Sequence, residues 1–217
     1  GELDVLDGSP PCQGFSTAGK KKLNDARNQL FYEYSRILKG LKPKIFIAEN
    51  VPGMTYGKMK FVFNLIFNEL KASGYIVKCK LLNAANYQVP QKRCRVIFIG
   101  IREDLNLIPT FPKPIYPPCG VKKLDSRKKI HRYNPKFGAS YNSDIVKEGD
   151  LIRTLTKQTS VFWNKTEEFG LKSYSYASGF PDFYKWSSSW QANQDARGNC
   201  VPPLMMYHIA NHVKQIL

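Results

Sequence analysis

Leu3-Asp4-Val5-Leu6-Asp7, closed by Gly8-Ser9-Pro10-Pro11, opens the chain as a short strand that runs into a turn. Leu30, Tyr34, Ile37, Leu38 and Leu41 then recur at helical spacing, and Pro43 stops that helix. Ile45-Phe46-Ile47-Ala48 follows, a continuous apolar run of the buried-strand type that ends at Glu49-Asn50. A second helix carries Phe61, Leu65, Ile66, Glu69 and Leu70 on neighbouring turns, with Gly74 as its C-terminal signal. Tyr75-Ile76-Val77 starts another strand, and Val96-Ile97-Phe98-Ile99 is one more. Strands alternating with helices predict an α/β layer structure with a largely parallel sheet.

The pattern changes after Ile101. Pro109, Pro112, Pro114, Pro117 and Pro118 crowd together, and Lys122-Lys123 with Arg127-Lys128-Lys129 forms a basic cluster. No long periodic helix is read from there to about Asp150, so this stretch is expected to be a small second domain or a large insertion, irregular and cationic. Leu171 to Ser178 reads as a short helix ending at Gly179, and Pro202-Pro203 opens a last helix with Leu204, Tyr207, His208 and Val213.

The bulk properties bound the partners. The 217 residues suffice for one or two domains, and 42% hydrophobic with 13% aromatic residues is the composition of a folded protein. Lys plus Arg number 33 against 17 acidic residues, a formal charge of +16, which favours a polyanionic partner such as nucleic acid. Cys12, Cys79, Cys94, Cys119 and Cys200 are an odd set without C-x-x-C spacing, which disfavours a zinc site or a disulfide framework and points to a reducing compartment. The longest apolar stretch, Phe61-Val62-Phe63 with Leu65-Ile66-Phe67, is broken by Asn64 and too short to span a bilayer.

Four constellations stand out. Pro10-Pro11-Cys12-Gln13-Gly14-Phe15-Ser16 sits just after a strand, where catalytic groups of open α/β sheets collect; a lone thiol there is also compatible with an inert buried cysteine. Glu49-Asn50-Val51 puts a carboxylate at a strand end, where it could equally serve a helix cap. Gln91, Arg93 and Arg95 alternate at the start of an apolar strand, which would aim three polar side chains at one face. Two arginines there suit anion or base recognition, or simply guard a strand edge. Gly198-Asn199-Cys200-Val201-Pro202-Pro203 reads as a tight turn feeding a helix.

In this order, Pro-Pro-Cys-Gln-x-Phe-Ser, Glu-Asn-Val, Gln-x-Arg-x-Arg and Gly-Asn-x-Val-Pro-Pro resemble the DNA cytosine-C5 methyltransferase family. Asp25-Ala26-Arg27-Asn28-Gln29-Leu30-Phe31, Asn86-Tyr87-Gln88-Val89-Pro90 and Ser178-Gly179-Phe180-Pro181-Asp182 resemble it too. The resemblance implies a partial Rossmann-like methyltransferase domain with a mostly parallel sheet, plus a small irregular target-recognition domain. The expected boundaries are 1–101 for the catalytic part, 102–182 for recognition, and 183–217 for a hinge and C-terminal helix returning to the catalytic domain.

The resemblance also assigns roles. Cys12 matches the nucleophile that adds to C6 of cytosine, Glu49 the acid at N3, and Arg95 the arginine near O2. Glu49 must act as an acid, so burial is expected to favour its protonated form. Arg93 falls in the same catalytic set, and with Gln91 is expected to support the active-site face and its loops. Pro10, Leu30, Asn199 and Val201 match positions lining the methyl donor, S-adenosylmethionine, and no metal is called for. Gln13, Ser16, Arg27, Thr154 and Thr156 match DNA contacts, and Lys20-Lys21-Lys22 fits phosphates. The substrate implied is double-stranded DNA with the target base flipped out.

The family's Gly-rich donor-binding turn and its ribose-binding acid belong upstream of Gly1. With Gly1-Glu2 rather than Met at the start, a fragment of a longer protein is the favoured expectation over one half of a split enzyme, and the chain alone is expected to be inactive. A restriction-modification or phage setting, and hence the cytoplasm of a bacterial or phage-infected cell, is expected; a eukaryotic source would imply the nucleus. Gln88, Cys200 and Ser173 depart from the family's usual glycine, alanine or serine, and glutamate. The rival readings are the tRNA-methylating branch of the superfamily, whose Cys-Phe-Thr signature is not found, and a catalytically silent DNA-binding module.

Overall fold

The computed structural model describes residues 2–10, 29–57, 59–128, 143–164 and 167–217. The chain folds as two compact units. The first comprises residues up to Leu82, Cys94–Pro112 and His212–Leu217; the second comprises Asn83–Arg93 and Lys113–Asn211. The second unit therefore takes in residues 83–93 and most of the stretch after 182, which the sequence reading assigns to the catalytic part and to a hinge.

The first unit is built on a four-stranded sheet in the order β1 (Val5–Gly8), β2 (Ile45–Asn50), β5 (Cys94–Arg102), β3 (Tyr75–Asn83). Strands β1 and β2 pair in parallel through the crossover helix α1 (Gln29–Leu41), but β2 and β5 pair antiparallel. The sheet is thus mixed where the sequence pattern suggests a mostly parallel one. Between β3 and β5 lie only a 3-10 turn at Ala84–Tyr87 and the two-residue strand β4 (Gln91–Lys92), with no crossover helix to carry a parallel return.

One sheet face presents Phe46, Ala48, Val96 and Phe98 to Phe31, Tyr34 and Leu38 of α1 and to Met59, Val62, Ile66 and Leu70 of α2 (Met59–Ala72). Each large apolar side chain buried there stabilises the fold by about 1.5–3 kcal/mol. The helices are those the sequence predicts, but their buried stripes are rotated. Leu30, Ile37 and Leu41 of α1 face solvent while Phe31 and Ser35 are buried, and Phe61 of α2 is 67% exposed. Each helix carries apolar residues beside as well as on its inner stripe, Leu30, Ile37 and Leu41 in α1 and Phe61 and Leu65 in α2, so their spacing alone does not single out that stripe. The opposite sheet face carries Ile45, Ile47, Ile97, Ile99 and Ile101, all buried. On the helix-covered face Gly100 leaves room for the Phe46 ring, because a Cβ there would lie 2.0 Å from its Cε1.

The second unit holds a four-stranded sheet ordered β6 (Ser126–Lys128), β10 (Glu167–Phe169), β9 (Ser160–Phe162), β7 (Ser143–Ile145). Beside it, β4 pairs in parallel with β8 (Ile152–Arg153). Val121, Val161, Phe169, Tyr174 and Ala177 form its core, with Trp163 and Trp190 packed against them. Helix α3 (Leu171–Ala177) begins after Gly170, which has no side chain to cap it; the Asp125 carboxylate accepts from Lys172 N at 2.9 Å and Ser173 N at 2.7 Å instead. Ser173, where the family often has glutamate, is fully buried and its hydroxyl donates back to Asp125 O at 2.8 Å. Helix α4 (Trp190–Asn199), capped by Ser189, is not in the sequence reading: Gly198-Asn199 is its last turn rather than a free turn. Helix α5 (Pro203–Lys214) starts at the predicted proline. Among the described residues no helix is long and apolar enough to cross a membrane, and no group of three or more His, Cys, Asp or Glu side chains is placed to hold a metal ion.

Candidate active site

Strand register decides what gathers in the first unit. Gly8 of β1 pairs with Ala48 of β2, so the chain leaves both strands at the same sheet edge, β1 toward Pro10 and β2 through Glu49 and Asn50. Because β5 runs the other way, its beginning reaches that edge too, with Asn50 opposite Val96 and Glu49 opposite Ile97. Arg95 lies two residues before Ile97, on the same pleat face and diagonal to Glu49, within reach of a long side chain. Arg95 Nε lies 2.6 Å from Glu49 Oε1, with the two side chains only 13% and 11% exposed, and the Arg95 fork also donates to Cys94 O at 2.8 Å.

Glu49 thus sits against a guanidinium. The pair orients both side chains at the strand ends.

Asn50 adds a role the sequence reading does not give it. Its buried side chain donates from Nδ2 to Pro10 O at 3.1 Å and accepts from Val51 N at 2.9 Å, tying the exit of β1 to the end of β2. Its signal lay in the Glu-Asn-Val stretch, read there for its carboxylate. Leu30, in the first turn of α1, is 46% exposed. Cys12, Gln13, Ser16 and Arg27 lie outside the described residues.

The remaining candidates belong to the second unit. Gln91, Arg93 and Arg95 do not share a strand face. Gln91 lies in β4, and a tight turn, with Arg93 N donating to Gln91 O at 2.9 Å, leaves Arg93 outside both strands. Arg93 is 2% exposed, and its guanidinium donates to Leu155 O at 2.8 Å and Gly198 O at 2.9 Å. Gln91 accepts from Leu155 N at 2.9 Å and donates to Ala177 O at 3.0 Å. Thr154 donates its hydroxyl to Lys92 O at 2.9 Å, and the exposed Thr156 pairs its hydroxyl with that of Thr159 at 2.8 Å. Asn199 is exposed at the end of α4, and Val201 is half-buried.

The first unit is thus a mixed sheet packed against two helices, with an acid and an arginine paired at its strand ends, an arrangement of the α/β class. A prophage-encoded protein of E. coli described as a DNA modification methyltransferase superimposes with a TM-score of 0.76 at 19% identity, over 98% of this chain and 79% of that one. The family model for C-5 cytosine-specific DNA methylase matches residues 1–169, and the chain belongs to that family. It is 47% identical to the Type II methyltransferase M1.HphI of Haemophilus parahaemolyticus, over 98% of this chain and 68% of that protein. It is 32% identical to M.Sau96I of Staphylococcus aureus, over all of this chain and 61% of that protein. Several other curated Type II methyltransferases are matched over about a third of their length or less.

Proposed function

We propose that the protein to which this chain belongs methylates C5 of cytosine in double-stranded DNA, with Cys12 as nucleophile. The observation that carries the reading is the Glu49–Arg95 pair at the sheet edge toward which β1 delivers Pro10, two residues before Cys12. Aromatic, electron-poor cytosine is a weak nucleophile at C5. Addition of the Cys12 thiolate to C6 breaks the C5–C6 double bond and leaves an enamine that is nucleophilic at C5. A thiol suits this step because a few per cent is ionised near neutrality even at its free pKa of about 8.5. Negative charge displaced onto the ring is relieved at N3, where Glu49 holds the proton, while Arg95 binds O2.

The donor, S-adenosylmethionine, supplies an electrophilic methyl group when bound. Pro10, Leu30, Asn199 and Val201 would line it, as the resemblance to the family implies. After transfer, C5 loses its proton to a base and the Cys12 sulfur leaves as thiolate, restoring the aromatic ring. Because a stacked base shields its C6 face, the cytosine must flip out. Gln13, Ser16, Arg27, Thr154 and Thr156 would bind the DNA around it. The Type II relatives suggest a restriction-modification setting, in which the rest of the donor site comes from sequence beyond this chain or from a second subunit.

Incubating the full-length protein with labelled donor and either duplex DNA or tRNA tests this. Label in DNA is expected; label in tRNA alone would put the protein in the tRNA-methylating branch. DNA binding without label in either would make it a silent module. A Cys12→Ser variant is expected to lose methylation while still binding DNA, and full activity in that variant would exclude the covalent mechanism.

A further inference from the structure

We infer that Arg93 is a positioning residue that couples the segment assigned to DNA with the segment assigned to the donor. The inference rests on the functional reading above, and it moves Arg93 away from the reacting ring. Its guanidinium is buried and held by two backbone carbonyls of different segments: Leu155, between Thr154 and Thr156, and Gly198, next to Asn199 and two residues before Cys200-Val201. The segments also meet backbone to backbone. A Cβ on Gly198 would lie 2.5 Å from Lys157 N and 2.8 Å from Thr156 C, so only glycine lets the end of α4 come this close.

Both segments are then pinned on their far sides. Gln91 holds the Leu155 amide and the Ala177 carbonyl, closing the end of α3 onto the Thr154–Thr156 backbone. Arg197, adjacent to Gly198, lies 3.5 Å over the Tyr174 ring, and Tyr174 in turn accepts from Val161 N at 2.8 Å. Neither segment can shift without straining a bond from the planar Arg93 fork. A fork of fixed geometry transmits displacement from one carbonyl to the other, which a single ammonium does not. DNA docking on Thr154 and Thr156 would therefore reposition Asn199 and Val201, and donor binding would do the reverse, as reciprocity of linked equilibria requires.

The measurement is donor affinity of the full-length protein with and without saturating duplex DNA, using S-adenosylmethionine as the titrant and circular dichroism to verify folding. Wild type is expected to show a coupling ratio of about 5-fold or more. Arg93→Lys is expected to bring that ratio close to one, weakening DNA-bound donor affinity more than donor affinity alone. Gly198→Ala keeps the arginine but forces apart the two carbonyls that its fork bridges, and it should lower the ratio in the same way.

A ratio unchanged in Arg93→Lys overturns the inference. If that variant does not fold, an unchanged ratio in Gly198→Ala overturns it instead. A purely structural arginine would lower the melting temperature and leave the ratio intact. Wild-type protein that methylates DNA without any coupling sinks this inference alone, whereas wild-type protein that binds neither donor nor DNA sinks the functional reading with it.

Discussion

Glu49 and Arg95 show how a site can depend on one register. The two are far apart in the chain, yet β2 and β5 pair so that their side chains leave the same pleat face at the same edge. Replacing Glu49 with Gln keeps the size and a hydrogen-bond acceptor for Arg95 but removes the acid. Under the proposed mechanism kcat/KM should fall by roughly 10²- to 10⁴-fold, the usual worth of a positioned acid, with DNA affinity retained. Steady-state kinetics on a methylatable duplex checks this, and activity within a few-fold of wild type would remove Glu49 from the chemistry. Glu49 and Arg95 were both visible as candidates in the sequence. Their contact was not, because residue spacing carries no information about which strands become neighbours.

Helix α3 makes the same point for an element. Its apolar content and the Gly179 stop mark it in the sequence, and Gly179 does adopt a left-handed φ of +74°. Its N-terminal cap comes from Asp125, a residue remote in sequence that donates nothing to local propensity. Asp125→Ala should cost about 1 kcal/mol, within the 0.5–2 kcal/mol range of lost caps. Urea denaturation with unchanged m-value would register it, and an unaltered midpoint would show that the two amides find other partners. Helix α4 is the converse case. Trp190-Gln191-Ala192-Asn193-Gln194-Asp195-Ala196-Arg197 offers no apolar stripe, so periodicity passes it over, although Ser189 caps it by its side chain. What holds α4 is tertiary: Arg127 and Arg197 lie near the Trp190 ring, at 3.6 Å and 5.6 Å from its centroid.

For the molecule as a whole, the charge of +16 is the broadest feature. A duplex bound through about six phosphates should lose on the order of 10³-fold in affinity between about 50 and 200 mM salt, through counterion release. Fluorescence anisotropy with a labelled duplex measures the slope, and a loss below about ten-fold would mean that the basic surface serves something other than DNA. The division into two units bears on the motifs as well. Glu49, Arg95 and Pro10 belong to the first unit; Arg93, Thr154, Thr156, Asn199 and Val201 belong to the second, although Arg93 and Arg95 are two residues apart. The chain crosses from one unit to the other within the Gln-x-Arg-x-Arg stretch.

By itself the sequence determined the α/β class and the family, because strand ends, proline stops and short motifs are local and survive without neighbours. It also marked the change of character after Ile101, where prolines and basic residues replace periodic helices. Only the tertiary structure decided that β5 enters antiparallel and that Glu49 meets Arg95. It alone placed Arg93 on the carbonyls of Leu155 and Gly198 rather than beside Arg95. The reason is common to all three: strand order, buried hydrogen bonds and the approach of one backbone to another are satisfied by partners distant in the chain, and no residue's own type or spacing names its partner.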